Sequence, residues 1–352
     1  MSARVAVVGA TGAVGQELRR LLEDRNFPLD GEPVFLASAR SAGTMLPFNG
    51  GEVQVQELTP DSFADIDIAL FSAGGARSTE FAPIAAEAGA VVVDNSSAFR
   101  MDPDVPLVVA EVNPGDVKTR PKGIIANPNC TTMVLMVPVK PLHDAFGLTE
   151  MVATSYQAAG GAGMSGIEGL LAEARHLLQD PDRLRFDGAG AEGSIDPQQF
   201  SKVLAFNVLP HAGSFTQGRY TDEEWKLVHE PRKILGLPGL RVSPTCVRVP
   251  VLVGHSIQAR LTFSSEVTRE AALAAMAGFP GMRIVDGVDA DGEQLAYPTP
   301  LASAGIDDVL VGRIREDLGD RNSLNIFVAG DNLLKGAALN TVQLAELVAS
   351  HG

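Results

Sequence analysis

The stretch Asn127-Pro128-Asn129-Cys130-Thr131-Thr132 holds one of only two cysteines in a chain of 352 residues. It follows a strand-like run and precedes the apolar run 133–139, which suits a helix. A cysteine at a helix start has a depressed pKa, because its thiolate faces unpaired backbone N–H groups and the positive end of the helix dipole. Cys130 therefore reads as a nucleophile. Cys246 heads the apolar run 247–253 and reads as core packing. A nucleophilic thiol needs an acid–base partner, and there are six histidines to choose from. His143 and His229 lie in polar, helix-like surroundings. His176 falls off the apolar stripe of its helix, His351 is in the tail, and His211 beside Pro210 is ambiguous. His255 differs: it follows Gly254 at the end of the run 249–253, where a bend would expose a side chain. No spacing among the histidines and cysteines suits a metal ion, so no metal site is expected.

A second constellation lies at the start of the chain. Val5–Val8 runs into Gly9-Ala10-Thr11-Gly12-Ala13-Val14-Gly15, a strand, a glycine turn and a helix start. Glycines there let backbone approach a pyrophosphate, and the helix N-terminus supplies free N–H groups. The spacing is GxxGxxG rather than GxGxxG, and the bland alternative is a turn that only packs helix on sheet. The second strand of such a unit commonly ends in an acid that binds the ribose hydroxyls of NAD. Residues 34–44 contain no acid and carry Ser38, Arg40 and Ser41. An arginine with two hydroxyls suits a 2′-phosphate, so NADP is expected over NAD. The alternative is that Arg40 is a solvated loop residue.

The elements that must position these groups fall into two textures. In the first third, strand candidates 4–8, 33–37, 66–71, 90–93, 107–109 and 123–126 alternate with helical patterns such as 14–22. That alternation predicts a Rossmann-type, doubly wound parallel sheet. After residue 127 come a strand at 151–157, a loop at 158–164, and apolar residues at helical spacing from Ile167 to Leu178. Strand-like runs at 240–242, 247–253, 258–263 and 323–328 predict an α+β second domain with a mostly antiparallel sheet. Residues 180–199 are rich in Gly, Asp and Pro without periodicity and read as a long surface loop or an insertion. Residues 333–349 read as a helix with Asp331 or Asn332 as its cap.

Composition narrows the function classes. Hydrophobic residues make up 45%, enough for two moderate cores. The formal charge of −15 repels phosphate backbones, so nucleic acid is not an expected partner, and a small anionic substrate needs local cations. No apolar stretch is long enough to span a membrane, and no signal peptide is evident. Two cysteines do not make a disulfide framework, and a cytoplasmic location is expected.

The motifs GATGAVG, ASARSAG, DNSSAFRM, NPNCTT, SYQAAGGAG, EEWK, CVRVPV, GHS and GDNLLKGAALNTVQ occur in this order along nearly the whole chain. Together they resemble the bacterial aspartate-semialdehyde dehydrogenase family. NPNCTT with DNSSAFR is the specific part, whereas GATGAVG is shared with many reductases. The resemblance implies Cys130 as nucleophile, His255 as acid/base and Gln157 as a positioning group. It implies Arg100 and Lys226 on phosphate, Glu223 on the substrate ammonium and Arg248 on its carboxylate, with Asn129 also among the substrate contacts. The expected cofactor set is Gly9, Thr11, Gly12, Ala13, Val14, Gly15, Ser38, Arg40, Ser41, Ser72, Gly160, Asn332 and Asn340. The expected domains are 1–127 with 333–352 for NADP, and 128–332 for catalysis and dimerisation. The expected substrates are 4-phospho-L-aspartate, L-aspartate semialdehyde and phosphate, and the expected assembly is a homodimer or homotetramer. Plainer alternatives stand beside these roles: Glu223 and Lys226 as an exposed i, i+3 pair, and Arg100 as a loop cap. The rival activities are a related phosphorylating reductase, such as one acting on N-acetylglutamyl phosphate, and an inactive nucleotide-sensing relative. The first has no use for a glutamate facing a free ammonium, and the second predicts loss of Cys130 or His255. The family pattern varies in 180–199 and around His211.

Overall fold

The computed structural model describes residues 2–288, 291–294 and 296–351. The chain divides into two units, Met1–Lys140 with His229–Gly239 and Leu333–Gly352, and Pro141–Val228 with Leu240–Asn332. Relative to the bounds expected for the nucleotide domain, unit 1 also takes in residues 128–140 and 229–239.

Unit 1 contains β1 (Val5–Val8), α1 (Ala13–Asp24), β2 (Val34–Ala37), a hairpin of β3 (Met45–Phe48) and β4 (Gly51–Gln54), β5 (Gln56–Glu57), β6 (Ile68–Phe71), α2 (Gly75–Glu87), β7 (Val91–Asp94) and β8 (Ile124–Ala126). Its sheet runs β5-β2-β1-β6-β7-β8, and every pairing is parallel. All four residues of β1 are buried, as expected of a strand covered on both faces. The strand order reverses between β1 and β6, where open parallel sheets bind ligands beyond their carboxyl ends. Val8 pairs with Phe71, so the chain leaves these two strands at the same level, at Gly9 and Ser72. Helix α3 (Cys130–Phe146) starts three residues after Asn127, and residues 131–139 are all buried. It is apolar around its circumference, which suits an interior helix.

Unit 2 is built on β9 (Leu148–Gln157), α4 (Met164–Leu177), α5 (Pro181–Phe186), α6 (Gly188–Glu192), α7 (Asp222–Ile234), β10 (Arg241–Arg248), β11 (His255–Phe263), α8 (Arg269–Met276), β12 (Met282–Ile284), α9 (Pro300–Ser303), β13 (Val309–Glu316) and β14 (Ser323–Gly330). By sequence, the last residues of α7 belong to unit 1. The sheet runs β10-β9-β11-β14-β13-β12. The three central pairings are antiparallel and the two outer ones parallel. The molecule is thus an α/β protein with a parallel nucleotide-type sheet and a mixed, mostly antiparallel second sheet. The last helix, α10 (Leu339–His351), follows a π turn at Leu334–Ala338. Leu334, Ala338, Leu339 and Val342 join the core formed with Val5, Val7 and Leu18.

Four sequence readings change. Residues 107–109 are not a strand: they make a single parallel bridge, Leu107 to Ala126, beside the three-residue β8. The runs 240–242 and 247–253 are not separate strands. Pairing with β9 extends from Arg241 to Arg248 and ends where β9 ends, which leaves 249–253 in a loop and Cys246 inside β10. Residues 180–199 hold two short helices, α5 and α6, where a long surface loop or an insertion was expected. Asp180 and Asp187 cap them by accepting from the Arg183 and Gly190 N–H groups. Neither Asp331 nor Asn332 is the cap of the last helical segment. Its N-cap is Leu333, while Asp331 accepts from Gly305 N and Asn332 from Gly254 N. No helix of the described residues is long and apolar enough to cross a membrane.

Candidate active site

In unit 1, the glycine turn is fixed by crowding. Gly9 has φ +88, and a Cβ there would lie 2.3 Å from the Ser72 carbonyl oxygen. A Cβ on Gly15 would lie 2.2 Å from the Gly9 oxygen, so close packing of α1 on the turn excludes any side chain. Gly12 is the N-cap of α1, with no side-chain cap and no acid in the first turn. That helix end therefore offers backbone N–H groups to an anion. Beside it is a cleft of about 290 Å³ lined by Gly9, Thr11, Gly12, Ala37, Ser38, Leu58, Ser72, Ala73 and Arg77. Five expected cofactor residues, Gly9, Thr11, Gly12, Ser38 and Ser72, thus share one cleft. Arg40 and Ser41 lie in the turn after β2 and are not among its lining residues. Ala13, Val14 and Gly15 form the start of α1. Arg77, on α2, was not singled out from the sequence.

Asn340 has a different occupation from the one expected of a cofactor contact. It is fully buried, its Oδ1 accepts from Ala110 N and Lys335 Nζ, and its Nδ2 donates to the Val108 carbonyl and to Asn127 Oδ1. Those four bonds use the whole amide, and they tie α10 to the segment that leads to Cys130.

The nucleophile end is built by three residues ahead of α3. Asn129 is its N-cap: its carbonyl accepts from Met133 N at 2.9 Å, and its Oδ1 accepts from Thr131 N at 3.0 Å. Cys130 is the first helical residue and is partly exposed, the environment that favours a thiolate. Asn127 donates through Nδ2 to Asn95 Oδ1 at 2.6 Å. Asp94 holds the neighbouring DNSS turn, accepting from Ser78 Oγ, Ser96 N and Ser96 Oγ.

Glu230 is the residue the sequence reading missed here. It is 1% exposed; one carboxylate oxygen accepts from Asn129 N at 2.7 Å and the other pairs with Arg100 Nη1 at 3.1 Å. Arg100 also donates to the carbonyls of Asn127 and Asn95, so three of its five N–H groups are engaged. Lys233 donates to the carbonyls of Arg100, Asp102 and Val105, and burial lowers its pKa. A signal existed in the sequence, since Glu230 stands seven residues after Glu223, on the same side of one helix. Glu230→Ala would leave Arg100 buried without its counter-charge, at a cost of about 3–5 kcal/mol. A urea midpoint unchanged from that of the unsubstituted chain would contradict this.

In unit 2, His255 opens β11 and is fully buried, not exposed at a bend as the sequence suggested. Its Nδ1 accepts from Ala158 N at 3.0 Å, which places the proton of the neutral ring on Nε2. Burial, and secondarily the positive Arg248, push its pKa down from 6.5 to about 3. Arg248 donates to the Ala158 carbonyl at 2.8 Å and lies over the Phe200 ring. A Cβ on Gly161 would lie 3.0 Å from Arg248 Nη1 and 3.3 Å from His255 Nε2, so a side chain there would crowd both polar groups. A Cβ on Gly160 would lie 2.7 Å from the Leu252 oxygen, so Gly160 serves packing of the same turn. Asn332 is 3% exposed, and its Nδ2 has no hydrogen-bond partner among the described residues.

A second cluster on unit 2 joins Gln157, Glu223 and Lys226. Gln157 Nε2 donates to Glu223 Oε2 at 3.3 Å, and Lys226 Nζ donates to Glu223 at 2.5 Å and Asp222 at 2.8 Å. Burial opposes the Lys226 charge, but Glu223 and Asp222 outweigh it and raise the pKa. Glu224, the neighbour of Glu223, is committed to structure, accepting from Cys246 N and Thr221 N. Cys246 is fully buried. His211 meets Ser201 Oγ at 2.9 Å and stacks near Phe215.

Two family models cover most of the chain: the semialdehyde dehydrogenase NAD binding domain over residues 4–120, and the semialdehyde dehydrogenase dimerisation domain over residues 139–335. An aspartate-semialdehyde dehydrogenase of Corynebacterium glutamicum is 50% identical over 352 residues, with 98% of each chain covered. The chain belongs to the aspartate-semialdehyde dehydrogenase family. Among solved members, the aspartate semialdehyde dehydrogenase II of Vibrio cholerae, complexed with ASA, superposes with a TM-score of 0.91 at 40% identity, covering 99% of each chain. The Candida albicans member, crystallised with NADP, superposes with a TM-score of 0.75 at 25% identity, again over 99% of each. Membership makes this chain an NAD(P)-binding oxidoreductase of aspartate-family amino-acid biosynthesis.

Proposed function

We propose that the chain catalyses L-aspartate 4-semialdehyde + phosphate + NADP⁺ ⇌ 4-phospho-L-aspartate + NADPH + H⁺, through a thioester on Cys130. The observation that carries the reading is Cys130 as the first residue of a helix capped by Asn129, with Arg100 hydrogen-bonded to the backbone two residues before that cap. In the biosynthetic direction the Cys130 thiolate attacks the acyl phosphate carbon, the carbon–oxygen bond to phosphate breaks, and phosphate leaves. The bound dinucleotide supplies the hydride that reduces the thioester. Neutral His255 donates a hydrogen bond from its Nε2–H to the tetrahedral oxygen, and the carbon–sulfur bond then breaks to release the aldehyde and the Cys130 thiolate. Arg100 and Lys226 hold phosphate, Glu223 the substrate ammonium, and Arg248 its carboxylate, each opposite in charge to its ligand group. Gln157 positions the reacting group.

The glycine turn and its cleft fit the dinucleotide: Gly9 and Gly15 admit no side chain, and the α1 N-terminus faces an anion site. Gly160 and Asn332 complete the cofactor contacts, the second with a buried amide still free to donate. NADP is the preferred form, because β2 ends without an acid and Ser38 lines the cleft. The working protein is a homodimer or a tetramer built from it, in the cytoplasm, serving lysine, threonine and methionine synthesis. The test is phosphate- and NADP-dependent oxidation of L-aspartate semialdehyde, with N-acetylglutamate semialdehyde as control. Turnover of the control alone would overturn the substrate assignment.

Arg248→Lys keeps the charge and loses the planar two-pronged donor. The expected fall in kcat/KM is roughly ten- to a hundredfold, the loss of about 1.5–3 kcal/mol of charged hydrogen bonding. Unchanged kcat/KM would remove Arg248 from the substrate site.

A further inference from the structure

We propose that Glu230 is a positioning residue for the phosphate step: it aligns the Arg100 guanidinium and ties it to the backbone just ahead of Cys130. The inference rests on the reading above, in which Arg100 holds phosphate and Cys130 carries the acyl group. Three acceptors engage Arg100. Its Nε donates to the Asn127 carbonyl at 2.8 Å, its Nη2 to the Asn95 carbonyl at 3.0 Å and its Nη1 to Glu230 Oε1 at 3.1 Å. Two of these acceptors are backbone carbonyls, and Glu230 is the only side chain among them. Of the five N–H groups of a guanidinium, two are left with no acceptor among the described residues. A planar fork held by its other donors offers these two to a phosphate in a fixed orientation.

The same carboxylate has a second partner. Its Oε2 accepts at 2.7 Å from the N–H of Asn129, the residue directly before Cys130. One buried anion therefore links the arginine to the neighbour of the nucleophile. Lys233, one turn further along α7, takes the main chain of the same arginine, donating to the Arg100 carbonyl at 2.8 Å. Glu230 and Lys233 thus clamp Arg100 by its side chain and its backbone. A buried ion pair is by itself weak evidence of a stabilising role, since an apolar pair of similar volume often serves as well. An apolar pair could not accept from Arg100 and Asn129 at once. The start of α3 does not rest on Glu230, because Asn129 caps it by accepting from Met133 N and Thr131 N.

The test is steady-state oxidation of L-aspartate semialdehyde by the full chain at saturating NADP with phosphate varied, beside the burst of NADPH formed without phosphate. Glu230→Gln keeps the length and offers one acceptor to two donors. Glu230→Asp keeps the counter-charge to Arg100, which guards against loss of the fold, and is one methylene too short to hold both donors. Both variants are expected to raise KM for phosphate about tenfold or more, the scale of one charge-assisted hydrogen bond, with KM for the semialdehyde and the burst rate within about threefold. Unchanged KM for phosphate in the folded variants overturns the proposal. So does a burst that falls as far as the phosphate-dependent rate, which would make Glu230 a support of the fold alone. Either result leaves the thioester reading standing. Oxidation by the unsubstituted chain that does not depend on phosphate overturns that reading, and the role of Glu230 with it.

Discussion

Cys130→Ala is expected to abolish turnover, by roughly a thousandfold or more, while the protein folds and binds NADPH as before. A thioester is an electrophile that hydride can reduce, whereas a carboxylate is not, so no neighbouring group substitutes for the sulfur. The side chain lost is small and partly exposed, and the helix cap it follows is made by Asn129, which stays in place. Cys130→Ser is expected to keep a trace of activity, since an oxygen ester accepts hydride less readily. Cys246 provides the internal control. It is fully buried in β10, where the neutral thiol is favoured, and Cys246→Ala should remain active with a packing cost of about 1–2 kcal/mol. Low-stoichiometry alkylation near neutral pH should label Cys130 first, and phosphate or NADP should protect it. First labelling at Cys246, or near-normal turnover by Cys130→Ala, would contradict the covalent mechanism.

The second large effect concerns His255. His255→Gln is expected to lower kcat by about a hundred- to ten-thousandfold, the usual contribution of a positioned acid–base group. A second readout separates its titration from its packing. The folded ring titrates near pH 3 against an ordinary 6.5, so between those values the unfolded chain binds a proton that the folded chain excludes. The resulting stability is fully present above pH 6.5 and is lost as pH falls toward 3, with a slope of at most about 1.4 kcal/mol per pH unit. Glutamine does not titrate, so the variant should show a shallower acid limb when urea midpoints are followed from about pH 6.5 downward. Identical slopes for the two proteins would mean that His255 is already charged in the folded state.

Much of this was legible in the sequence because the signals were local. The strand before the glycine turn, the helix after NPNC and the strand β9 each depend on residues close in sequence, and the structure has all three, with α3 running seven residues past the expected run 133–139. What escaped depends on distant partners or on capping without periodicity. The end of β10 is set by where β9 stops, ninety residues earlier in the chain, and no local pattern in 247–253 records that. The helices α5 and α6 lack an apolar stripe and rest on Asp180 and Asp187 as caps, so a period search passes over them. The burial of His255 follows from its place at the head of a central strand, whereas the glycine before it suggested an exposed turn. Glu230 and Arg77 escaped for the same reason. Glu230 gains its place from Arg100, 130 residues away in sequence, and Arg77 from a turn that follows a different strand.

A thioester on Cys130 can be trapped by withholding phosphate. L-Aspartate semialdehyde and NADP are mixed with the full chain in the absence of phosphate, the reaction is quenched in acid, and the intact protein and its peptides are weighed. Without phosphate the acyl group has no acceptor but water. One aspartyl group per chain is expected on the peptide containing Cys130, formed together with NADPH and released when phosphate is added before the quench. Formation of NADPH at the full phosphate-dependent rate with no acyl group on Cys130, or with the group on another residue, would contradict it.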